Sequence, residues 1–233
     1  MEPRTLLLYG LALLQAYFLG AVPFGFLLVK LLKGVDIRTV GSGNIGATNV
    51  ARVAGPRLGI LAFLLDVAKG FVAATWVPFA IHALSSEAFV YSGLWPLLRE
   101  VAVGKGFTDL RILCGLSAIV GHIWTVFLSF KGGKGVATAL GVWLGLAPMP
   151  TLITVFLWAV ITRVSGYVSL GSIISVIVLP LALALEQHNN LLDSWRLLAF
   201  AVIVCVIVII RHKDNIRRLR DGTENRFGFR RRK

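Results

Sequence analysis

Long, nearly unbroken apolar runs are what most constrain this chain. They occupy about 5–29, 58–81, 110–129, 136–147, 149–164, 167–185 and 195–211. Runs of roughly 18 or more apolar residues can cross a bilayer core as helices. In lipid the backbone must satisfy its own hydrogen bonds, so such runs fold as a helical bundle. The expectation is an all-α membrane protein of about seven transmembrane helices, a single integral-membrane domain over residues 1–233. The fourth and fifth runs meet at "APMP" (147–150), so 136–164 reads either as two spans or as one kinked span. The first run is about 25 residues long, more than a signal peptide's apolar core, and reads as an uncleaved span.

Charge orients the bundle. If the helices alternate, the breaks near 30–57, 130–135, 164–166 and 212–233 share one side. That side carries 18 of the 23 Lys and Arg left when Lys69, inside a span, is set apart. Basic residues accumulate in cytoplasmic loops. The N-terminus is therefore expected outside and the C-terminus in the cytoplasm, with the protein in the cell inner membrane. The basic tail, 212–233, touches anionic lipid in this reading, and nucleic acid is a poor partner for a chain buried in a membrane. Cys114 and Cys205 lie within apolar runs and form no CxxC, so neither a disulfide framework nor a metal site is expected. On the opposite side, 82–109 is an extended outer segment. Within it, Phe89, Tyr91, Leu94 and Trp95 suit the outer membrane interface.

Three polar, glycine-rich or basic stretches interrupt the apolar pattern, all on the expected cytoplasmic face. The first is "VGSGNIGATNVAR" (40–52). Its Gly41, Gly43 and Gly46 satisfy GxGxxG, but that fingerprint has meaning only between a strand and a helix, and here an apolar helix precedes it. The backbone physics still holds: glycines let successive N–H groups turn into one concavity that binds anions. Ser42, Asn44, Thr48 and Asn49 add side-chain donors, and Arg52 follows. The second stretch is "SFKGGKGVATALG" (129–141), in which Lys131 and Lys134 alternate with Gly132, Gly133 and Gly135. A cation beside a helix N-terminus suits a phosphate, and an anchoring lysine pair needs no such glycines. The third, "RHKDNIRRLRDGTENR" (211–226), reads as an amphipathic helix ending near Gly222, with His212 and Asn215 on one face. A weaker fourth element places Ser169 and Ser172 on one face after Arg163.

Other polar residues read as structural. Asp66 and Lys69 lie inside the second span, where their spacing makes mutual pairing the expected outcome. His122 reads as a packing histidine near the lysine loop, and His82 as an outer-face residue. His188 and Asp193 fit the His-x4-Asp pattern of thioester-using acyltransferases, but on the outer side. A transporter of a phosphorylated metabolite is the alternative reading, although transporter sites sit near the midplane between repeats and no repeat occurs here.

At this point the three stretches carry a resemblance. "GSGNIGATNVAR", "GHIWTVFLSFKGGKGVATALG" and "RHKDNIRRLRDGTENR" resemble the signature motifs of the bacterial acyl-phosphate:glycerol-3-phosphate acyltransferases, the PlsY family. The resemblance implies an inner-membrane enzyme that makes lysophosphatidic acid and releases inorganic phosphate. It implies no cofactor, and neither coenzyme A nor acyl carrier protein as donor. It further implies that Ser42, Asn44 and Thr48, with the glycine backbone, cradle acyl-phosphate. Arg52, Lys134, Ser172, His212 and Asn215 would hold or orient glycerol 3-phosphate. His212 is expected to donate a hydrogen bond to that substrate while a substrate phosphate takes the hydroxyl proton, because neighbouring cations disfavour charging its ring. The length of 82–109 and the ending "FRRRK" depart from the family pattern without touching the motifs.

Overall fold

The computed structural model describes residues 3–85, 108–186 and 191–227. Most of the outer segment 82–109, His188 and the ending "FRRRK" lie outside the described residues, as do the side chains of His82 and Asp193. The described chain is helical and forms two compact units, one running through Leu146 and the other starting at Ala147.

The first unit contains α1 (Pro3–Ala21), α2 (Phe24–Lys33), α3 (Ala47–Ala54), α4 (Pro56–Ser85), α5 (Thr108–Ile123) and α6 (Val136–Leu146). The second contains α7 (Pro148–Ser165), α8 (Val168–Leu185), α9 (Leu191–Arg211) and α10 (Lys213–Arg220). Six described segments are long and apolar enough to cross a membrane: Leu6–Lys33, Pro56–Ile81, Thr108–Leu128, Pro148–Ser165, Val168–Leu185 and Ser194–Arg211. The seventh expected span, α6, has 11 residues. At 1.5 Å per residue it reaches about 16 Å, roughly half of a 30 Å hydrocarbon core. Residues 136–164 are therefore two separate helices, because the chain leaves helical geometry at Ala147 (φ −146°, ψ 77°).

Two helix pairs in the first unit pack backbone against backbone. A Cβ on Gly141 of α6 would sit 1.9 Å from the carbonyl oxygen of Val67, and one on Gly70 of α4 would sit 2.0 Å from that of Thr138. Only hydrogen fits at either position, so α4 and α6 approach as closely as small residues allow in lipid. Gly20 and Gly121 do the same between α1 and α5, where a Cβ would sit 2.1 Å from Ala118 O and 2.2 Å from Tyr17 O, respectively.

Proline breaks leave carbonyls that other helices must meet. The chain leaves α1 before Pro23, and the exposed backbone is bonded from elsewhere in the unit. Thr125 Oγ1 donates to Ala21 O at 2.6 Å, and Lys69 Nζ donates to Val22 O at 2.8 Å. Pro78 lies inside α4 and has no N–H for the Ala74 carbonyl one turn earlier. Arg111 of α5 supplies the missing donor, its Nε lying 3.1 Å from Ala74 O. The same guanidinium also donates to Gly145 O at the end of α6. Arg111→Met should leave both carbonyls without that donor. The expected loss is on the order of 2–3 kcal/mol, read as a lowered thermal midpoint of the detergent-purified protein.

Candidate active site

Each unit carries its own polar cluster. In the first, the chain after α2 makes a short 3-10 turn over Ile37–Thr39 and enters the glycine stretch. The turn is capped by Asp36, which accepts from Arg38 N at 2.9 Å and pairs with the Arg38 guanidinium at 2.7 Å. Those bonds hold the Asp36 carboxyl down at about 2. Gly41 and Gly43 adopt positive φ, 63° and 69°. At Gly41 a Cβ would also sit 2.2 Å from Asn49 Oδ1.

Asn49 is the hub of this loop. It is buried, its Oδ1 accepts from Ser42 N at 2.8 Å, and its Nδ2 donates to Asn44 O at 2.9 Å and Val40 O at 3.1 Å. The amide group therefore faces the loop's own backbone, a bracing role that its sequence reading as a donor did not foresee. Asn44 closes a local turn, accepting from Gly46 N at 2.8 Å. Gly46 then starts α3 with no side-chain cap, so the first helical N–H groups face back toward the loop. Ser42 and Arg52 are exposed, and Thr48 is half-buried.

The lysine stretch is shaped by close approach. After α5 the chain makes a 3-10 turn at Val126–Leu128, and Ser129 and Phe130 take positive φ. It then doubles back along the end of α5. Gly132 N donates to Ile123 O at 3.0 Å, and Gly133 N donates to His122 O at 3.1 Å. A Cβ on Gly132 would lie 2.0 Å from His122 O, and one on Gly133 would lie 2.1 Å from His122 Nε2. These two glycines are needed for the backbone to run against His122. Lys131 is exposed, and Lys134 is half-buried just ahead of α6, whose positive dipole end adds to its charge. His122, read from the sequence as packing, lies 3.6 Å through Nδ1 from Asp66 Oδ1, which also pairs with Lys69 Nζ at 2.7 Å.

In the second unit a carboxylate absent from the sequence reading organises the cluster. Gly222 (φ 70°) turns the chain after α10, and Thr223 N bonds back to Arg218 O at 2.8 Å. The returning segment bonds the turn that ends α7, Phe227 N donating to Gly166 O at 2.7 Å. Glu224 is thereby placed among three donors: Asn215 Nδ2 at 2.7 Å, Ser169 Oγ at 2.8 Å and Arg218 Nε at 2.7 Å. The clue in the sequence was a turn glycine two residues before a carboxylate, following a basic helix. Ser172 donates to Val168 O at 2.9 Å and accepts from Trp158 Nε1 at 3.3 Å.

His212 is buried at the junction of α9 and α10, with Nδ1 2.8 Å from Val208 O. A carbonyl oxygen only accepts, so Nδ1 carries the proton. A neutral ring then presents a lone pair at Nε2, and only the imidazolium donates from that atom. In this tautomer Nε2 of a neutral ring is an acceptor, and the donor role expected for His212 belongs to the imidazolium.

These observations define a class, a multi-span helical membrane protein with basic, glycine-shaped loops. Comparison with known proteins narrows it. Residues 10–222 match the family described as glycerol-3-phosphate acyltransferase. A Geobacter sulfurreducens glycerol-3-phosphate acyltransferase is 45% identical over 213 residues, covering 91% of this chain and 94% of its own. One from Chlorobaculum tepidum is 39% identical over 233 residues, covering 92% and 94%. Two crystal structures of PlsY (YgiH), an integral membrane glycerol 3-phosphate acyltransferase, are each 36% identical. The glycerol 3-phosphate form superposes with a TM-score of 0.74, covering 94% of this chain and 96% of that one. The lysophosphatidic acid form does so with 0.72, covering 94% and 95%. The chain belongs to the glycerol-3-phosphate acyltransferase family.

The Glu224 clasp has a definite pH dependence. Burial raises the carboxyl pKa, but bonds from Asn215, Arg218 and Ser169 and the Arg218 charge outweigh burial and bring it below the ordinary 4.5. The folded value is the lower one. The clasp's contribution is thus fully present above 4.5 and is lost as pH falls through the depressed value. Glu224→Gln should melt lower than the wild type at neutral pH, by on the order of 2 kcal/mol. The gap between the two should close as pH is lowered below 4.5.

Proposed function

We propose that this glycerol-3-phosphate acyltransferase takes its acyl group from acyl-phosphate. It passes that group to the sn-1 hydroxyl of glycerol 3-phosphate, giving lysophosphatidic acid and inorganic phosphate. The observation that carries the reading is the Asn49-braced loop, which spends its own N–H groups on holding its shape and leads positive-φ glycines into a helix start with no side-chain cap, beside exposed Ser42 and Arg52. Such a helix start favours phosphate, the reacting end of an acyl-phosphate. The PlsY neighbour solved in a lysophosphatidic acid form supports the product.

In this reading Gly41, Gly43, Gly46, Ser42, Asn44 and Thr48 hold the acyl-phosphate, and Asn49 keeps their loop in shape. Lys131, Lys134, Gly132, Gly133 and Arg52 receive phosphate charge. Ser169, Ser172, His212 and Asn215 serve glycerol 3-phosphate, with neutral His212 accepting a hydrogen bond through Nε2 from the hydroxyl that does not react. The sn-1 hydroxyl oxygen attacks the acyl carbon, phosphate leaves with the electron pair of the broken C–O bond, and a phosphate oxygen takes the proton. A mixed anhydride has a good leaving group, so the protein's main task is to bring two anions together. Cations and N–H groups offset their repulsion. The family match runs across both units, which supports a single catalytic domain. The distribution of Lys and Arg supports an inner-membrane location with these loops in the cytoplasm and the N-terminus outside, a topology in which the short α6 supplies the seventh crossing.

Purified protein in detergent should release phosphate from acyl-phosphate only when glycerol 3-phosphate is present, and acyl-coenzyme A and acyl carrier protein should not replace the donor. Activity with acyl-coenzyme A alone would refute the donor assignment. Lys134→Ala and Arg52→Ala should each lose roughly two to three decades of kcat/KM for glycerol 3-phosphate with the fold intact, as expected for an electrostatic contact to that substrate in the ground and transition states. His212→Gln, which keeps an acceptor, should retain far more activity than His212→Ala. Equal, near-total loss in both would make His212 the base.

A further inference from the structure

Two buried charges in α4 have no part in the chemistry so far. Asp66 and Lys69 are each about 2% exposed, and they pair at 2.7 Å. Pairing alone explains their charge balance but not their other contacts. Lys69 Nζ also bonds Val22 O at 2.8 Å, at the break between α1 and α2. Asp66 Oδ1 also faces His122 Nδ1 at 3.6 Å. The other edge of the same ring, Nε2, lies where a Cβ on Gly133 would come within 2.1 Å. The His122 carbonyl accepts from Gly133 N at 3.1 Å. The imidazole thus lies between a carboxylate at 3.6 Å, an ion-pair rather than a hydrogen-bond distance, and the backbone just before Lys134.

From this geometry we propose that Asp66, Lys69 and His122 are positioning residues for the lysine loop. The ion pair fixes the carboxylate, the carboxylate fixes the His122 ring, and the ring and its carbonyl fix the Gly132–Gly133 backbone that delivers Lys134. The α4 side of the device is rigid. Gly70 and Gly141 allow α4 and α6 to touch through their backbones, and α6 begins two residues after Lys134. Both flanks of the lysine are therefore referenced to one helix. The residues that set its position lie inside a span, away from the substrates. The inference rests on the reading of Lys134 as a glycerol 3-phosphate cation.

Its signature is a change in one Michaelis constant and not the other. A loosened loop weakens the hold on glycerol 3-phosphate while the Gly41–Gly46 loop, braced separately by Asn49, keeps the acyl donor. The experiment measures kcat and both KM values, with thermal melting, for purified His122→Ala, His122→Gln, Asp66→Asn and Lys134→Ala. His122→Ala and Asp66→Asn should raise KM for glycerol 3-phosphate about tenfold and leave KM for acyl-phosphate within about twofold. His122→Gln, which retains a polar group of similar reach, should recover part of the loss and keeps the test open if the alanine variant does not fold. His122→Ala combined with Lys134→Ala should be no worse in that KM than Lys134→Ala alone, since both act through one cation. A purely structural role would lower the active fraction and leave both KM values unchanged. That outcome, or equal rises in both, or additive losses in the double variant, overturns the inference. If Lys134→Ala itself leaves KM for glycerol 3-phosphate unchanged, the underlying assignment of Lys134 fails and the inference with it. A changed KM in Lys134→Ala beside unchanged His122 variants overturns the inference alone.

Discussion

A carbonyl released by a helix break inside a bilayer must find a donor within the protein, and much of the first unit follows from that requirement. No water competes at that depth, and an unmet carbonyl costs several kcal/mol. Three released carbonyls, on Ala21, Val22 and Ala74, are met by Thr125, Lys69 and Arg111. Each donor comes from a different segment than its acceptor. The proline breaks therefore act as joints that fasten α1, α4 and α5 to one another. A lysine and an arginine within apolar helices, costly alone, become the fasteners, and Asp66 offsets the charge of the lysine. Removing one partner of such a buried pair leaves an uncompensated charge, which costs about 3–5 kcal/mol.

The polar loops inherit their shape from this frame. The Gly132–Gly133 backbone can run along His122 only because the end of α5 is fixed and because glycine leaves room for the ring and its carbonyl. The Gly41–Gly46 loop is organised differently, by one buried amide that satisfies several backbone groups at once. In the second unit a glycine turn returns Glu224 onto Ser169, Asn215 and Arg218. In all three devices buried side chains and glycine backbone hold the loop in shape. Residues of one motif therefore have unlike duties: Ser42 and Arg52 are exposed, whereas Asn49 is enclosed.

The sequence by itself determined the all-α membrane class and the family. Apolar runs dictate helices, because lipid allows little else, and six described segments have the required length. The Asp66–Lys69 pair was legible from its spacing, since two opposite charges one turn apart in a span have few other partners. The glycine and lysine stretches were legible as phosphate-binding candidates, and they resembled the motifs of the family to which the chain belongs. Tertiary structure decided what spacing cannot encode. Only folding shows that α6 stops at 11 residues, that Asn49 faces its own loop and that Glu224 closes the third motif. It also shows that the Nδ1 proton of His212 belongs to Val208 O. The physical reason is common to all four. Helix formation is local and leaves a periodic trace in the sequence, whereas the partner of a buried polar atom is chosen by which segments the packed backbone brings within 3 Å.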